Sequence, residues 1–398
     1  MKWTTKPLAE VAEFRLGKML DDKKNKGEPL PYLANINVRW GECDLENLRE
    51  MRFAHDEMDR YGLKYGDIVM CEGGEPGRCA IWKESVPGMM IQKALHRIRP
   101  HDCLDHRFLF YSFLHKGRIG SFASLFTGAT IKHLPREKLA KVEITFPLLV
   151  VQRRIADILS AYDDLIENNR RRMALLEESA RLLYNEWFVR LRFPGYEHTR
   201  IIDGVPEGWE QKALSELTSF LKRGITPSYD DEAQGLVVNQ KCIRNGRVNL
   251  ELARNQSKVV NPERVLQLGD VLVNSTGEGT LGRVAQVKTP LSNCTVDTHV
   301  TIVRPKERIA RHYFGLAVME WEPRFSTMGK GATNQTELSP ATIGETIIVM
   351  PSHTLLEQFE LFAEPLYEQV TNLVAQNQKL RTARDLLLPR LMSGEIAV

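Results

Sequence analysis

The hydrophobic and polar positions define two long stretches of helical periodicity, each of which follows a region of short apolar runs. From Leu148 to Phe193 the chain contains neither glycine nor proline. Apolar residues recur there at nearly heptad spacing, with one asparagine among them: Ile155, Ile158, Tyr162, Leu165, Asn169, Leu176, Leu183 and Trp187. The spacing predicts one helix of about 40 residues, roughly 60 Å long at ~1.5 Å per residue. We expect its apolar stripe to pack against another helix.

A second stripe near the end of the chain predicts that partner helix. Its members are Phe359, Phe362, Leu366, Val370, Leu373, Asn377, Leu380 and Leu387. Pro365 lies within it and predicts a kink or a restart, because proline removes a backbone donor and crowds the preceding turn. Asn169 and Asn377 occupy what look like equivalent positions, which predicts an Asn–Asn pair between antiparallel helices. The alternative is that both asparagines lie in water at the edge of the seam.

The regions before the two helices are predicted to be α+β with short strands. Runs rich in β-branched residues occur at 68–70, 142–146, 271–273 and 346–349. Asn245-Gly246 lies between two apolar runs and predicts a hairpin, since both residues tolerate positive φ. Pro147 and Pro351 are expected to end the last strand of each region.

The two halves of the chain repeat the same landmarks in the same order. The recurring features are Trp3 and Trp209, Leu8 and Leu214, Asn35 and Asn239, Trp40-Gly41 and Asn245-Gly246, Gly66-Asp67 and Gly269-Asp270, Gly77-Arg78 and Gly282-Arg283, Gly128-Ala129-Thr130 and Gly331-Ala332-Thr333, and Pro147 and Pro351. So long a period indicates a duplicated domain. The predicted organisation is a first lobe at 1–148, a long helix at 149–190, a linker at 191–208, a second lobe at 209–352 and a second long helix at 353–398. Such a pseudo-twofold molecule is expected to bind a ligand that itself has two halves.

Composition limits the class of protein. The chain has 398 residues, a formal net charge of +3 and 42% hydrophobic residues, enough for two cores. Lys and Arg outnumber Asp and Glu by 24 to 20 in 1–148 and by 17 to 15 in 209–352, whereas 149–208 and 353–398 are net acidic. No apolar run is long enough to span a membrane, and six cysteines without a CxxC pair predict free thiols. We therefore expect a cytoplasmic protein without a metal site.

Motifs for catalysis are missing from the sequence. Asn261-Pro262 is followed by Glu263, so no Asn/Asp-Pro-Pro-aromatic motif of an adenine-N6 methyltransferase is formed. The Gly-x4-Gly-Lys-Ser/Thr loop for ATP phosphates and the HExxH zinc motif are absent as well. The sequence predicts a chain that is not an enzyme and that carries no cofactor.

The segments after each lobe indicate a family. Residues 146–156, with Pro147, Gln152 and Ile155, lead into Leu159, Asp163 and 166–169. The second copy has 350–351 and 355–358, and the chain ends with Leu391-Met392-Ser393-Gly394-Glu395-Ile396. Together with the paired Trp-x4-Leu starts and the Gly-Asp strands, the whole chain resembles the specificity subunit (HsdS) of type I restriction–modification enzymes.

The resemblance implies a concrete fold and function. The fold would be α+β, with two tandem, pseudo-twofold-related α/β target recognition domains separated by two long antiparallel coiled-coil-like helices. Each domain would read one half of a bipartite, asymmetric double-stranded DNA target. The helices would set the spacer and dock two modification (M) subunits, which methylate adenine N6. S-adenosylmethionine, ATP and Mg would be bound by partners, and restriction (R) subunits would complete the nuclease.

Candidate contact residues follow from the chemistry of DNA readout, in which arginine suits guanine, asparagine or glutamine suits adenine and lysine suits phosphate. The predicted DNA-binding residues are Lys18, Lys24, Arg39, Arg78, Thr130, Lys132, His133, Arg223, Lys241, Arg244, Asn274, Thr276, Arg283, Lys330, Asn334 and Gln335. The predicted seam and partner-docking residues are Ile155, Tyr162, Asn169, Leu176, Phe359, Leu366, Leu373, Asn377 and Leu380. Arg78 and Arg283 have the alternative of pairing with a local carboxylate.

Three other functions are compatible with parts of the pattern. One is the recognition subunit of a related type II restriction enzyme. Another is a coiled-coil scaffold that assembles two partners without reading DNA. The third, a stand-alone hydrolase, is disfavoured by the missing motifs.

Overall fold

The computed structural model describes residues 3–21, 25–46, 48–331 and 336–398 and divides the chain into two compact units. The first unit comprises Met1–Asn168 and Asn377–Val398, and the second comprises Asn169–Gln376. Each unit therefore contains one lobe, the beginning of the long helix that follows that lobe, and the end of the other long helix. Below, the first lobe is 3–147 and the second lobe is 209–351.

The first lobe is built from two main sheets. The four-stranded antiparallel sheet has the spatial order Ala12–Leu16, Leu95–Pro100, Ile68–Cys71 and Cys79–Ile81. The three-stranded sheet has the order Arg49–Phe53, Glu28–Leu33 and Met90–Ile91, with the last pair parallel. Two further pairs are Thr4–Pro7 with Glu143–Phe146, and Val38–Arg39 with Glu42–Cys43. The strand next to Pro147 thus pairs with the first strand of the lobe.

The second lobe has the same topology, which confirms the duplication. Its four-stranded sheet runs Thr218–Arg223, Val300–Pro305, Val271–Asn274 and Val284–Gln286. Its three-stranded sheet runs Arg254–Gln256, Gly235–Val238 and Cys294–Val296, again with the last pair parallel. The two-stranded pairs are Glu210–Ala213 with Ile347–Met350, and Ile243–Arg244 with Arg247–Val248. A separate hairpin, Ile201–Ile202 with Val205–Pro206, lies in the linker.

Short helices complete both lobes. Those of the first lobe are Leu8–Val11, Met58–Tyr61, His106–Arg118 and Arg136–Leu139. Those of the second are Leu214–Leu217, Arg311–Met319, Glu322–Phe325 and Pro340–Gly344. Single 3-10 turns occur at Asn35–Asn37, His55–Glu57, Ala123–Leu125, Tyr196–His198, Gln240–Cys242, Leu250–Leu252 and Pro262–Arg264. The longest lobe helix buries Phe108 and Phe113 against Ile68 and Ile98 of the four-stranded sheet.

The repeated Gly-Asp motif has the same structural role in both lobes. Asp67 is buried and accepts two hydrogen bonds of 2.7 Å from the Arg99 guanidinium on the neighbouring strand. Asp270 is buried in the same way and accepts bonds of 2.7 and 2.8 Å from Arg304. Each carboxylate also accepts a main-chain N–H three residues upstream, which fixes the turn before the strand. The motif recurs because a buried carboxylate requires such a partner.

The predicted hairpin at Asn245-Gly246 is confirmed. Asn245 and Gly246 have φ of 53° and 68°, and they connect two strands with Ile243 opposite Val248. In the first lobe, Trp40-Gly41 connects the equivalent strands, and Gly41 has φ of 80°. The two turns occupy one position in the fold but present different side chains.

Two long helices follow the lobes. The first spans Leu149–Tyr184 and continues into the π-helical turn Asn185–Val189, and the second spans His353–Met392. In the second unit, the Asn169 amide donates to Gln376 Oε1 at 3.1 Å, whereas the Tyr184 and Phe359 rings lie 6.4 Å apart. As residue numbers increase from 169 to 184 along the first helix, the residues they contact on the second helix decrease from 376 to 359. The helices are therefore antiparallel, as predicted.

The seam differs from the predicted heptad stripe in two respects. The second helix does not restart at Pro365, because it is continuous through that residue. Ile158, Leu165 and Phe362 are exposed and do not belong to the buried stripe. In a straight α-helix, positions seven residues apart are offset by about 20° around the helix axis. A stripe with strict seven-residue spacing therefore moves off the buried face after a few turns.

The burial pattern also changes the interpretation of the two asparagines. Buried positions 151, 152, 155 and 159 in the first helix recur 204 residues later, at 355, 356, 359 and 363. At this spacing Asn169 corresponds to Leu373, and Asn377 corresponds to Met173, so the two asparagines are not equivalent. Both are buried, which contradicts the alternative that they lie in water. The Asn169–Asn377 pair stays a prediction.

The remaining predicted seam residues lie on the inner faces of the helices. Ile155, Phe359 and Leu373 are buried, and Tyr162, Leu176, Leu366 and Leu380 are half-buried. Near the chain's end, Leu388 and Leu391 join the core of the first unit, and the Trp3 ring lies directly against Gly394. In the described part of the chain, no helix combines the length and apolar character needed to cross a membrane.

Candidate nucleic-acid interface

Three loops of the first lobe surround an open cavity of about 560 Å³, called here the first-lobe groove. The loops are the Trp40-Gly41 turn, the glycine-rich loop 72–78 and the tip loop 127–133. The groove is lined by Trp40, Gly74, Glu75, Pro76, Arg78, Phe126, Thr130, Ile131 and Lys132. Three predicted contact residues, Arg78, Thr130 and Lys132, therefore come together here from distant parts of the chain.

The tip loop is held as a narrow hairpin beside the glycine-rich loop. Thr127 and His133 exchange main-chain hydrogen bonds of 2.9 and 2.8 Å. The His133 Nδ1 atom lies 3.0 Å from Glu72 Oε2 in the neighbouring loop. Gly128 has φ of 93°, and a Cβ atom there would lie 2.1 Å from the Ile131 carbonyl oxygen, so only glycine fits this turn. Thr130, Ile131 and Lys132 are exposed at the end of the hairpin.

Arg78 joins the glycine-rich loop to the segment that precedes the Trp40 turn. Its Nη2 donates to the Asn35 carbonyl at 2.9 Å, and its Nη1 lies 2.7 Å from Glu75 Oε2. The side chain is 12% exposed, and its buried Nε has no hydrogen-bond partner among the described residues. In this conformation Arg78 chiefly holds the segment before the Trp40 turn against the glycine-rich loop. The alternative of a local carboxylate partner is thus realised for Arg78.

The groove also has an apolar wall. Trp40 is 40% exposed and Ile131 is 64% exposed, although both are large apolar side chains. The Trp40 ring is placed by close contact with helix His106–Arg118, where a Cβ atom on Gly117 would lie 2.4 Å from the ring. Phe126 adds a third apolar side chain to the lining. The sequence analysis identified Trp40 only as a repeated turn residue and did not name Ile131 or Phe126 as individual contact residues.

The second lobe positions equivalent loops with different contacts. Asn274 is fully buried and donates to the Gln240 and Thr280 carbonyls, both at 3.0 Å. It joins the segment before the 245–246 turn to the glycine-rich loop, as Arg78 does in the first lobe. Lys330 and Glu337 exchange main-chain hydrogen bonds of 2.9 and 3.0 Å, which matches the pairing of Thr127 with His133.

Other predicted residues of the second lobe lie on or beside these loops. Arg223 forms an ion pair of 2.6 Å with Glu337, whose main chain pairs with that of Lys330. Thr276 Oγ1 lies 2.7 Å from His299 Nδ1. Arg283 is half-buried and donates to the Gly279 carbonyl at 2.9 Å. Lys241, Arg244 and Lys330 are exposed.

The outcome for the remaining predicted residues is mixed. Arg39 is exposed on the strand that leads into the Trp40 turn. Lys18 is buried, with its Nζ 2.5 Å from Glu57 Oε2 and 2.8 Å from the Arg52 carbonyl, and it does not line the groove. Lys24, Asn334 and Gln335 lie outside the described residues.

The chemistry of the groove is that of binding. It offers the Lys132 ammonium group, the Arg78 guanidinium paired with the Glu75 carboxylate, the Thr130 hydroxyl and apolar side chains around an open space. Such a lining suits a ligand with both polar and apolar edges. Burial raises the pKa of the Cys71 thiol at the base of the glycine-rich loop, which keeps it protonated. Among the described residues, no group of three or more His, Cys, Asp or Glu side chains could hold a metal ion.

Comparisons with known proteins show which proteins the chain resembles. Residues 1–178 match the family model for the type I restriction modification DNA specificity domain. The chain is 25% identical to the type I restriction enzyme MjaIX specificity subunit of Methanocaldococcus jannaschii, an alignment covering 100% of this chain and 94% of that protein. It is 22% identical to the type I restriction enzyme HindI specificity subunit of Haemophilus influenzae, covering 91% and 92%.

A solved structure shares the fold. The crystal structure of the S subunit of a type I restriction–modification system from M. genitalium superimposes with a TM-score of 0.53, at 18% identity, covering 98% of this chain and 96% of that one. The fold with two lobes and two long helices and the alignments with relatives over more than 90% of both chains indicate the same family. The chain is therefore similar over its whole length to type I restriction–modification specificity subunits, and its residues 1–178 match their DNA specificity domain.

Proposed function

We propose that each lobe reads one half of a bipartite, asymmetric DNA target and that the chain itself is not catalytic. The observation that carries the proposal is that the two lobes share one sheet topology but differ in their equivalent loops. The turn presents Trp40 in the first lobe and Asn245 in the second. The link beneath the glycine-rich loop is an arginine in one lobe and a buried asparagine in the other. Different side chains on the same framework would select different base sequences.

The long helices are proposed to set the unread spacer between the half-sites. They contain 36 and 40 residues without a break, or about 54 and 60 Å at ~1.5 Å per residue. Readers on one face of B-DNA must be separated by about a helical turn of ~34 Å or its multiples. Continuous helices can hold such a separation, whereas flexible linkers cannot.

Two similar docking surfaces on the helices would receive two copies of the modification subunit. Exposed Ile158 and Leu386 lie in the first unit, and exposed Leu182 and Phe362 lie in the second. The burial repeat of 204 residues relates Ile158 to Phe362 and Leu182 to Leu386. Contiguous exposed apolar surface is typical of protein interfaces, and what supports docking here is that the exposed positions recur at the spacing of the duplication. Because the two pairs are related by the duplication, they favour two identical partners.

Catalysis would then belong to the partners. The modification subunits would bind S-adenosylmethionine and methylate adenine N6, and restriction subunits with ATP and Mg would add cleavage. The sequence motifs for these reactions are absent from this chain. Its own contribution would be to position the enzyme on DNA, within the cytoplasm.

Methylome sequencing tests the proposal. Cells that express the modification subunits would be compared with and without this chain, by single-molecule detection of N6-methyladenine. We expect methylation at one bipartite motif only when the chain is present. Exchange of residues 209–352 for those of another family member should change one half of the motif and leave the other half intact. Val259→Ala, at an exposed site of the second lobe outside residues 240–248, 274–283 and 330–337, is the matched control. An unchanged methylome without the chain contradicts the proposal and favours a scaffold.

A further inference from the structure

The apolar wall of the first-lobe groove carries an inference about what this lobe reads. Trp40 and Ile131 come from different loops, yet both line one groove and both remain exposed. Trp40 is fixed by contact with Gly117, and Ile131 by the narrow turn at Gly128. Each side chain is therefore held at the surface by the fold. A ligand that presents an apolar group of its own would bury the most apolar surface against them.

Within duplex DNA, one base edge has such a group. In the major groove, guanine, cytosine and adenine present only hydrogen-bond donors and acceptors, whereas thymine adds a C5-methyl group. The minor groove and the phosphates have no methyl group. The Lys132 ammonium group, on an exposed side chain that lines the same groove, is complementary to the phosphates beside a base edge.

We propose that Trp40 and Ile131 form a methyl-reading surface, which selects an A·T pair at one position of the first half-site through its thymine methyl group. The inference rests on the proposed DNA-reading function and makes it specific to one lobe. In the second lobe the turn residue is Asn245, which has a polar side chain, so this lobe lacks the aromatic part of the surface. Lys132 provides phosphate attraction that does not depend on sequence.

Replacement of thymine by deoxyuridine tests the proposal, because it removes only the methyl group. The probes are duplexes carrying the bipartite motif found in the methylome, with each thymine of the first half-site changed singly on either strand. Binding is measured with the complex of this chain and its modification subunits. At one position we expect deoxyuridine to weaken binding about fourfold, which corresponds to ~0.8 kcal/mol for one buried methyl group.

Ile131→Ala links the effect to the surface. This exposed residue can be changed without disturbing the core, and thermal melting of the complex checks its fold. The variant should bind the thymine duplex several-fold more weakly and lose most of its sensitivity to deoxyuridine at that position. Trp40→Ala should act in the same direction. Lys132→Ala should weaken thymine and deoxyuridine duplexes equally and reduce the salt dependence.

Two results would overturn the inference. One is equal binding of all deoxyuridine and thymine duplexes by the wild-type complex. The other is undiminished deoxyuridine sensitivity in both the Ile131 and the Trp40 variant. A failure of the underlying function is recognised separately, because the wild-type complex would then bind the motif and a scrambled duplex equally. Val259→Ala serves as the matched control and should retain the wild-type sensitivity.

Discussion

Glu177 of the first long helix provides the sharpest test of how the second lobe is attached. Its carboxylate lies 3.0 Å from Lys288 Nζ and accepts two hydrogen bonds from the Arg247 guanidinium, the one from Nε at 2.8 Å. Glu177 is 16% exposed and Lys288 is 13% exposed. Burial opposes ionisation of Glu177, but the two cations outweigh it and lower the pKa of the carboxyl group. Burial lowers the pKa of Lys288, and Glu177 offsets only part of that effect.

The perturbation is Glu177→Gln, which keeps the volume and removes the charge. Removal of one partner from a fully buried ion pair costs about 3–5 kcal/mol, because the other charge stays buried without compensation. Lys288 retains some access to solvent, so we expect a loss of about 2–3 kcal/mol in the free energy of unfolding at neutral pH. Arg247→Ala should lose less than about 1 kcal/mol, since this guanidinium is half exposed.

A double-mutant cycle separates the charge from the packing. Lys288→Met removes the buried cation and leaves a similar volume, so Glu177→Gln combined with Lys288→Met should be more stable than Glu177→Gln alone. The measurement is urea unfolding of the full chain, followed by tryptophan fluorescence and circular dichroism. If the double variant is as unstable as Glu177→Gln, the uncompensated lysine is not the cause and the reasoning fails.

The pH dependence has a definite sign. The folded pKa of Glu177 is lowered, so its contribution is present above the ordinary value of 4.5 and is lost as pH falls through the folded pKa. The folded pKa of Lys288 is also lowered, so the unfolded chain binds more protons and stability rises with pH through the interval below 10.5. The difference in the free energy of unfolding between wild type and Glu177→Gln should therefore become smaller toward both acid and alkaline pH. A difference that grows at alkaline pH contradicts the assignment.

Three further predictions concern the framework and the helices. Asp67→Asn and Asp270→Asn should each destabilise the chain by about 2–4 kcal/mol in urea unfolding, because each leaves a partly buried arginine without its counter-ion; a loss below about 0.5 kcal/mol contradicts the shared role. Gln152→Ala should cost about 2 kcal/mol in the same assay, since this buried amide makes three hydrogen bonds at the start of the first helix, and a wild-type unfolding curve contradicts that. Ile158→Asp combined with Leu182→Asp should abolish co-purification with the modification subunit while melting is unchanged, whereas full recovery of the complex refutes the docking surfaces.

The duplicated fold could be predicted because its landmarks have local physical causes. Turn residues such as Asn245-Gly246 are constrained by positive φ, and a buried carboxylate such as Asp67 must meet a counter-charge. Local causes of this kind can be identified in the sequence before any tertiary contact is known. The same is true of the long helices, whose periodicity extends over many turns.

The seam was predicted less well, because its details depend on the packing of the two helices. Ile158, Leu165 and Phe362 fit a heptad but are exposed. A sequence pattern shows that apolar residues recur periodically along a helix. It does not show which face of the helix is covered by the lobe and the partner helix and which face stays exposed. These three errors are informative, since two of the residues belong to the proposed docking surfaces.

The surroundings of the predicted contact residues were the hardest feature to predict, because the partner that fixes each side chain is distant in the sequence. In the sequence, Lys18 and Arg78 are both cations in polar loops. In the structure, Lys18 is buried in an ion pair with Glu57, whereas Arg78 donates a hydrogen bond to the Asn35 carbonyl. Ile131 shows the reverse error. An isoleucine in the sequence suggests a core residue, but the turn places this side chain at the surface.

The comparison of Arg78 with Asn274 explains how two lobes of one fold could come to read different sequences. Both side chains join the segment before the turn to the glycine-rich loop, through hydrogen bonds to main-chain carbonyls. Main-chain acceptors are present whatever the side chains are, so either residue can supply the link. The exposed side chains of the loops take no part in these hydrogen bonds, so they can change without breaking the connection between the loops. A framework held through its backbone thus leaves the surface residues free to diverge, and in our proposal that divergence determines each half of the target.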